Sequence, residues 1–471
     1  MNANCNLPAG SFSSKTVPLR FLVHALPDMK SPRILSMMAL QVVAALAVSV
    51  SARDSSSGSV VTFQHPADTV LRTDNGTYGP EVEEFHYYYD QFPIGLAVSS
   101  KGRLFACYTR GSYSYTLGEA VNKTAEAPYP SAALNLPVAQ LNTTFNTIPF
   151  GSANSTHLIS VQAIYITPST PNRPETLWAL DTGRPSIVAA DGSPTMPYAQ
   201  PGGPKLVAIS LANDSIYATY TFPASVHFPA SYMNDLRFDL RPTTTASGQG
   251  VAYIADSSNE GRNGFIVVDL GSRACWRRLT NHPSVLRVYD NVPSYQGRAF
   301  YVRQAGGMPV GYLREGLDGI QISPCGRRLY YSPLTSPYLY SVPTANLLVP
   351  PEDDPLVELM AAGNVSTHGQ RGGFANGFEG DSQGWVYQLM PEQNAIYYFD
   401  PADLQVHTFV RDPRIIWPDS AAVGEDGYFY MNINQLPYQP MWNDGVDGRV
   451  KPGAVLRAKI PNGGSKITGL G

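Results

Sequence analysis

A short hairpin unit recurs six times along the chain, and this repetition restricts the accessible folds more than any other feature. Its clearest copy, residues 316–333, reads GLDGIQISPCGRRLYYSP. In it Ile320-Gln321-Ile322 and Leu329-Tyr330-Tyr331 alternate between two faces on either side of a Ser-Pro-Cys-Gly turn. Alternation interrupted by turn residues predicts a β-hairpin, here with an acid, Asp318, at its head. The other copies pair residues 92–98 with 104–108, 161–166 with 177–183, 234–239 with 251–257, 376–381 with 385–389, and 418–423 with 428–432.

Further strand-like runs follow several copies, at 205–210 and 215–222, 265–270 and 275–279, and 395–400 and 407–410. Four strands per repeat is the blade of a β-propeller, and a blade that cannot bury both of its faces alone must stack radially and close into a ring. The expected architecture is all-β, a six-bladed propeller of four-stranded antiparallel blades in a single domain over residues 53–471. Val60-Val61-Thr62-Phe63 is the candidate strand for closing the ring against the C-terminus, and residues 85–90 lead into the first hairpin. Residues 111–155 exceed a normal blade loop and read either as cover for one face or as a surface excursion. The best helix signal is 355–362.

A net charge of −4 with 15% charged residues gives no basic footprint for nucleic acid and no polybasic membrane patch. Lys30 and Arg33 precede an apolar run, 34–50, that ends in the small-residue pattern Val50-Ser51-Ala52. This predicts a secretory signal cleaved after Ala52, a secreted or lumenal protein, and no membrane attachment after cleavage. Residues 1–52 are therefore a leader, and MKSPR from Met29 is an alternative start to it. Cleavage would leave Cys107, Cys275 and Cys325, enough for at most one bridge among them. Sequons at Asn75, Asn122, Asn142, Asn154, Asn213 and Asn364 fit a glycoprotein.

In a propeller the innermost strand of every blade starts at one face of the channel. Aligned on their turns, the six inner strands are headed by Ile94, Gln162, Asn234, Asp318, Asn376 and Asp419. The second strands end at the same face with Arg110, Asp181, Asp256, Ser332, Met390 and Asn432. Asp318, Asp419 and His157 are the candidate acid–base groups. Gln162, Asn234, Asn376, Asp181, Asp256, Tyr331 and Asn432 are the candidate ligand-binding residues. Asn234, Asp318, Asn376 and Asp419 also offer the oxygen ligands that calcium prefers, so a channel calcium is one expectation and a cofactor-free site the other. The same four side chains could instead fasten strand starts and lock blades together. The run His86-Tyr87-Tyr88-Tyr89 could line a flat pocket or lie in the core. No nucleophile elbow, phosphate loop, zinc spacing or redox-cofactor motif is present.

The succession FPIGLAV with GRLF, HLISVQAIYI with LWALDTG, GPKLVAISL with TYTFP, YMNDLRFDL with AYIADS, GLDGIQISPCGRRLYYSPL with LYSVPTANLL, and IIWPDSAAVGEDGYFYMNINQL resembles the yellow/major royal jelly protein family. The resemblance runs in order over nearly all of residues 82–458. It implies a six-bladed propeller, usually secreted and glycosylated. Members look like carriers of amines or like isomerases of quinonoid molecules such as dopachrome. Some fungal propellers of this general kind are similar to enzymes that cyclise quinone methides, including hetero-Diels–Alder steps. The implied function is a secreted enzyme that isomerises or cyclises a quinonoid intermediate without redox change in pigment or secondary-metabolite biosynthesis. The alternative is a non-catalytic secreted binder of small amines or phenols. Similar-looking propeller lactonases carry a metal-binding glutamate in the first blade, where this chain has Ile94.

Overall fold

Each of the six repeats folds as a four-stranded antiparallel sheet in a computed structural model, and the six sheets form a β-propeller. The structure describes residues 63–64, 69–70 and 74–470, apart from 110–113, 136–142, 146–147, 151–156, 189–193, 197, 200–201, 304–308 and 352. The leader and its cleavage site, together with Arg110, Asn142 and Asn154, lie outside the described residues.

Blade 1 comprises Gly95–Val98, Leu104–Cys107, Leu117–Asn122 and Ala125–Pro128, ordered from the axis outwards. Blade 2 comprises Val161–Thr167, Thr176–Asp181, Lys205–Ser210 and Ser215–Thr221, and blade 3 comprises Met233–Asp239, Val251–Asp256, Gly264–Asp269 and Cys275–Arg278. Blade 4 is built from Leu317–Ile322, Arg328–Pro333, Tyr338–Pro343 and Ser366–Gln370, and blade 5 from Phe378–Gly380, Val386–Met390, Ala395–Asp400 and Gln405–Arg411. In blade 6 the strands Pro418–Val423, Tyr428–Ile433 and Gly453–Lys459 come from the C-terminal part of the chain, and the outermost, Val82–Tyr88, from the N-terminal part.

That last strand closes the ring, pairing Val82 with Ala458 and Tyr88 with Gly453. It corrects the expectation that placed closure at residues 60–63. Phe63–Gln64 pairs instead with Thr69–Val70, within a separate compact unit, Asn6–Asn75; the propeller belongs to the unit containing Gly76–Gly471. The stretch 111–155, expected as cover for one face or as a surface excursion, supplies both outer strands of blade 1 in its first part. The expected helix forms at Val357–Gly363. Among the described residues no helix is long and apolar enough to cross a membrane.

Second strands such as Thr176–Asp181 and Val251–Asp256 are buried along their whole length. A strand covered on both faces needs near-continuous apolar sequence, which is why these runs lose the alternation of the outer strands. The core is accordingly divided into layers between adjacent blades. Trp178 of blade 2 packs on Phe238 of blade 3 with centroids 4.7 Å apart, and Phe265 of blade 3 meets Tyr331 of blade 4 edge-on at 5.0 Å. Aromatic pairs of this kind contribute about 0.5–1.5 kcal/mol beyond the area they bury.

The two ends of the channel differ. At the upper end, where inner strands begin, a further apolar cluster of Tyr295, Phe300, Leu313, Leu334, Phe374 and Trp417 sits on the inter-blade loops. At the lower end the last residues of the chain run across the blades. Ser382 of the blade 5 turn donates its backbone N–H to Ser465 O at 2.8 Å, and Asp381 pairs with Lys466 as an isolated bridge. The Tyr165 hydroxyl of blade 2 donates to Ile467 O at 3.5 Å, and Leu240 N, just past blade 3, donates to Gly469 O at 2.6 Å. Blades 5 and 2 stand on opposite sides of a six-membered ring, so this tail crosses the axis.

Candidate functional site

The six strand-head residues converge as the repeats predicted. Ile94, Gln162, Asn234, Asp318, Asn376 and Asp419, one from each blade, all line both a cavity of about 600 Å³ above them and a small one of about 30 Å³ below. They form a collar that separates a bowl large enough for a drug-sized molecule from a space with room for a water.

Local irregularity accounts for four of these positions. The ladder between first and second strands slips between Val161 and Ala163, Met233 and Leu236, Leu317 and Ile320, and Pro418 and Ala421. Gln162, Asn234, Asp318 and Asp419 fall inside those slips. A bulge releases a residue from regular pairing and re-aims its side chain, here at the axis. Glycine follows the head residue in blades 4 and 5 and lets the next blade come close. A Cβ on Gly319 would lie 2.6 Å from Asn376 O, and one on Gly377 would lie 2.7 Å from Asp419 O.

Hydrogen bonds join the collar from blade to blade. The Tyr232 hydroxyl donates to Gln162 Oε1 at 2.5 Å, and Gln162 Nε2 donates to Asn234 Oδ1 at 2.7 Å. Asn234 Nδ2 in turn donates to Asp318 Oδ1. Across the channel Asn376 Nδ2 donates to Asp419 Oδ1, and Asn434 Nδ2 to Asp419 Oδ2. Asp318 Oδ2 is buried and has no hydrogen-bond partner.

Burial holds the Asp318 carboxyl well above the usual carboxylate range, and Asp235, Asp419 and Glu315 push it further against the pull of Arg371. Burial also pushes Asp419 up, to about 7, against the stabilising bonds from Asn376 and Asn434. Two acids whose environments favour the protonated form by different amounts are the pattern from which an acid and a base are made at neutral pH.

Around the collar the bowl is walled mainly by apolar side chains, among them Phe92, Met196, Leu313, Leu334, Trp417 and Trp442, with Tyr232 and Glu315 between them. Phe300 stacks on Trp417 at 4.9 Å and lies 4.4 Å from Trp442, which ties two walls together. Trp417 has a left-handed φ of 56° and precedes Pro418-Asp419, so the backbone is strained immediately before a collar acid.

The second-strand residues end elsewhere. Asp181 is fully buried in the wall, where it accepts the N–H groups of Ile159 (2.7 Å) and Ser160 (2.9 Å) and pairs with Lys205 at 3.0 Å. Asp256 pairs with Arg277 at 3.0 Å and accepts Tyr232 N–H. Asn432 accepts the N–H of Ser420 at 2.6 Å and donates to Pro93 O at 2.9 Å. Tyr331 is buried between blades and bonded to Ser284 at 2.7 Å. None of the four, expected as ligand contacts, lines either cavity; each is bonded within the wall instead. His157, half-buried on the chain leading into blade 2, is not among the cavity-lining residues. Of the aromatic run, His86 pairs with Glu126 at 2.5 Å within blade 1 and 6 packing, also away from both cavities.

The four oxygen-bearing collar residues do not present a ready cation site. The amides of Asn234 and Asn376 turn N–H onto the carboxylates, and both oxygens of Asp419 are taken by amide donors. A calcium ion would need those amides rotated. Among the described residues no three His, Cys, Asp or Glu side chains cluster as a metal centre. Cys107 and Cys275 are free, so no bridge joins either to the other or to Cys325.

A family model described as major royal jelly protein matches residues 159–441. Among curated proteins no sequence matches the chain. Solved structures similar to it include a luciferin-regenerating enzyme at 11% identity, covering 83% of this chain and 99% of that one with a TM-score of 0.47. A virginiamycin B lyase from Staphylococcus aureus is 9% identical over 81% of this chain and 99% of its own, with a TM-score of 0.41. A gluconolactonase from Xanthomonas campestris is 10% identical over 81% and 89%, with a TM-score of 0.44.

Proposed function

The chain belongs to the major royal jelly protein family, and on that footing we propose that it is a small-molecule enzyme that isomerises or cyclises a quinonoid or quinone-methide-like intermediate without redox change. One observation carries the reading: a bowl of about 600 Å³ with aromatic and aliphatic walls stands over a floor whose unpartnered acid oxygen belongs to Asp318. The walls suit a planar, weakly polar molecule, and the floor suits its carbonyl oxygen.

In an isomerisation Asp419 takes a proton from carbon while protonated Asp318 delivers one to the carbonyl oxygen. The C–H electron pair becomes a new C=C bond, the carbonyl becomes a hydroxyl, and the two acids re-equilibrate through water. In a cyclisation no proton need move. The bowl holds the reacting ends together, and the Asp318 hydrogen bond draws charge onto the carbonyl oxygen. No cofactor enters either scheme, so chelation should leave turnover unchanged; a calcium-dependent rate would instead put a cation on the collar.

The competing reading, a binder of amines or phenols, is favoured by the acidity of Glu315, Asp318 and Asp419 around one cavity. Incubation with quinonoid substrates, with products resolved by mass and chirality, separates the two. An enzyme gives product that grows with time and a single stereochemical outcome; a binder gives stoichiometric uptake and none. We further propose secretion and glycosylation, for which Asn75, Asn122, Asn213 and Asn364 are exposed. Mature protein recovered from medium should begin at Arg53 and lose mass with a glycosidase.

A further inference from the structure

The four bonded side chains Tyr232, Gln162, Asn234 and Asp318 make a chain with one direction. A phenol can donate to Gln162 Oε1, which leaves Gln162 Nε2 to face Asn234 Oδ1, which leaves Asn234 Nδ2 to face Asp318 Oδ1. Each amide has one donor end and one acceptor end, so fixing the first fixes all that follow. The two ends of the chain, the Tyr232 hydroxyl and the protonated Asp318 carboxyl, are the groups able to donate or accept, and a hydroxyl that donates to Gln162 sets the direction of both amides between them. The main chain of Tyr232 is held for the purpose: its N–H donates to Asp256 Oδ1 at 2.9 Å, and its carbonyl accepts Ser257 N–H at 2.9 Å.

The chain has a consequence for the acids. Asp318 Oδ1 is occupied by Asn234, and the two oxygens of Asp419 are occupied by Asn376 and Asn434. Asp318 Oδ2 is the single carboxylate oxygen of the collar left without a protein partner.

We propose that Tyr232 and Gln162 are positioning residues that lock the Asn234 amide onto Asp318 Oδ1, so that a bound molecule meets Asp318 at one atom, Oδ2. Without the Tyr232 hydroxyl, Gln162 can turn over, Asn234 can follow, and its carbonyl can then take the Asp318 proton that the ligand would otherwise share. The site therefore selects a molecule that presents one hydrogen-bonding oxygen at its leading edge and apolar surface behind it. This deepens the proposed function, since that oxygen would be the quinonoid carbonyl.

The test uses the full chain with side-chain amides labelled by ¹⁵N-Asn and ¹⁵N-Gln, and the variants Tyr232→Phe and Gln162→Leu. Asn234→Asp and Gln162→Glu identify the two NH₂ resonances. In the free wild-type protein both NH₂ groups should exchange slowly. Tyr232→Phe should speed exchange at Gln162 and Asn234 at least tenfold and shift both resonances, with the melting temperature kept. Gln162→Leu should do the same at Asn234 alone. Unchanged Asn234 exchange and shift in both folded variants would overturn the proposal. Because this readout needs no substrate, it stands apart from the turnover assay. An amide response with no product from any quinonoid would keep the positioning role and remove the proposed reaction. Where turnover is measured, Tyr232→Phe should lower kcat about tenfold with KM within twofold.

Discussion

Asp256 never reaches the channel: its Oδ1 accepts the backbone N–H of Tyr232 at 2.9 Å while its Oδ2 pairs with Arg277 at 3.0 Å. An acid in the wall thus holds the residue whose hydroxyl orders the collar. Removing it should be felt as lost stability before lost chemistry. Asp256→Ala leaves Arg277 with an uncompensated charge and should cost about 3–5 kcal/mol, read from urea unfolding. Asp256→Asn, which keeps one acceptor, should cost less.

Substitution of the collar acids should separate folding from turnover. Asp318→Asn and Asp419→Asn should each lower kcat about 100-fold or more; the melting temperature should be nearly kept in Asp318→Asn, and Asp419→Asn should still fold although its new NH₂ meets one of the two amide donors that Asp419 accepts. Folded variants with wild-type rates would remove these residues from the reaction. If Asp419 is the base, the wild-type rate should rise with pH and level off above about 7, where burial has placed its titration.

Two groups should give opposite pH dependences of stability within one window. Asp419 is raised from 3.8 to about 7 in the fold, so the native state binds the extra proton and stability falls as pH rises through that interval. His227 is lowered from 6.5 to about 4, first by burial and then by Arg277 and Arg184 against Asp256, so stability falls as pH drops from 6.5 towards 4. The His227 contribution is up to about 3 kcal/mol. Asp419→Asn should therefore become more acid-sensitive than wild type, and His227→Gln less so, in melting temperatures taken at pH 4.5 and 7.5.

Gly319→Ala tests the close approach of blades 4 and 5. The new methyl would lie 2.6 Å from Asn376 O, which is backbone and cannot turn away. The cost should be about 1–3 kcal/mol in unfolding free energy, with Asn376 displaced from Asp419.

Trp442 tests the bowl. It lies 4.4 Å from Phe300 and lines the cavity, yet touches none of the collar bonds. Trp442→Ala should raise KM for a planar substrate about tenfold and leave kcat within twofold, because the wall holds ground and transition states alike. Intrinsic fluorescence quenching by the ligand should fall with it.

The collar was legible in the sequence because turns mark register: counting back from each hairpin turn lands on Gln162, Asn234, Asp318 and Asp419. Counting forward to Asp181, Asp256 and Asn432 gave the right face and the wrong depth, since period-two alternation does not say which strand abuts the axis. The bulges beside the collar residues carry no residue signature of their own, so their re-aiming effect could not be read. Tyr232, Glu315, Trp417 and Asn434 sit on loops outside the repeat, and Trp442 on a single helical turn, Pro440–Trp442. The nearest hint was adjacency, with Trp417-Pro418 preceding Asp419 and Asn434 two residues beyond Asn432. Closure was misplaced because Val60-Val61-Thr62-Phe63 looks more like a strand than the mixed-polarity Val82–Tyr88, in which Glu83, Phe85 and Tyr87 are half-buried and Glu84 is exposed.

The C-terminal tail makes the channel a blind vessel. With Ser465, Lys466, Ile467 and Gly469 laid from blade 5 to blades 2 and 3, arrivals and departures share the upper entrance. A spent molecule still in the bowl bars the next one, so product should inhibit competitively with substrate, and viscosity that slows exit should slow the whole cycle.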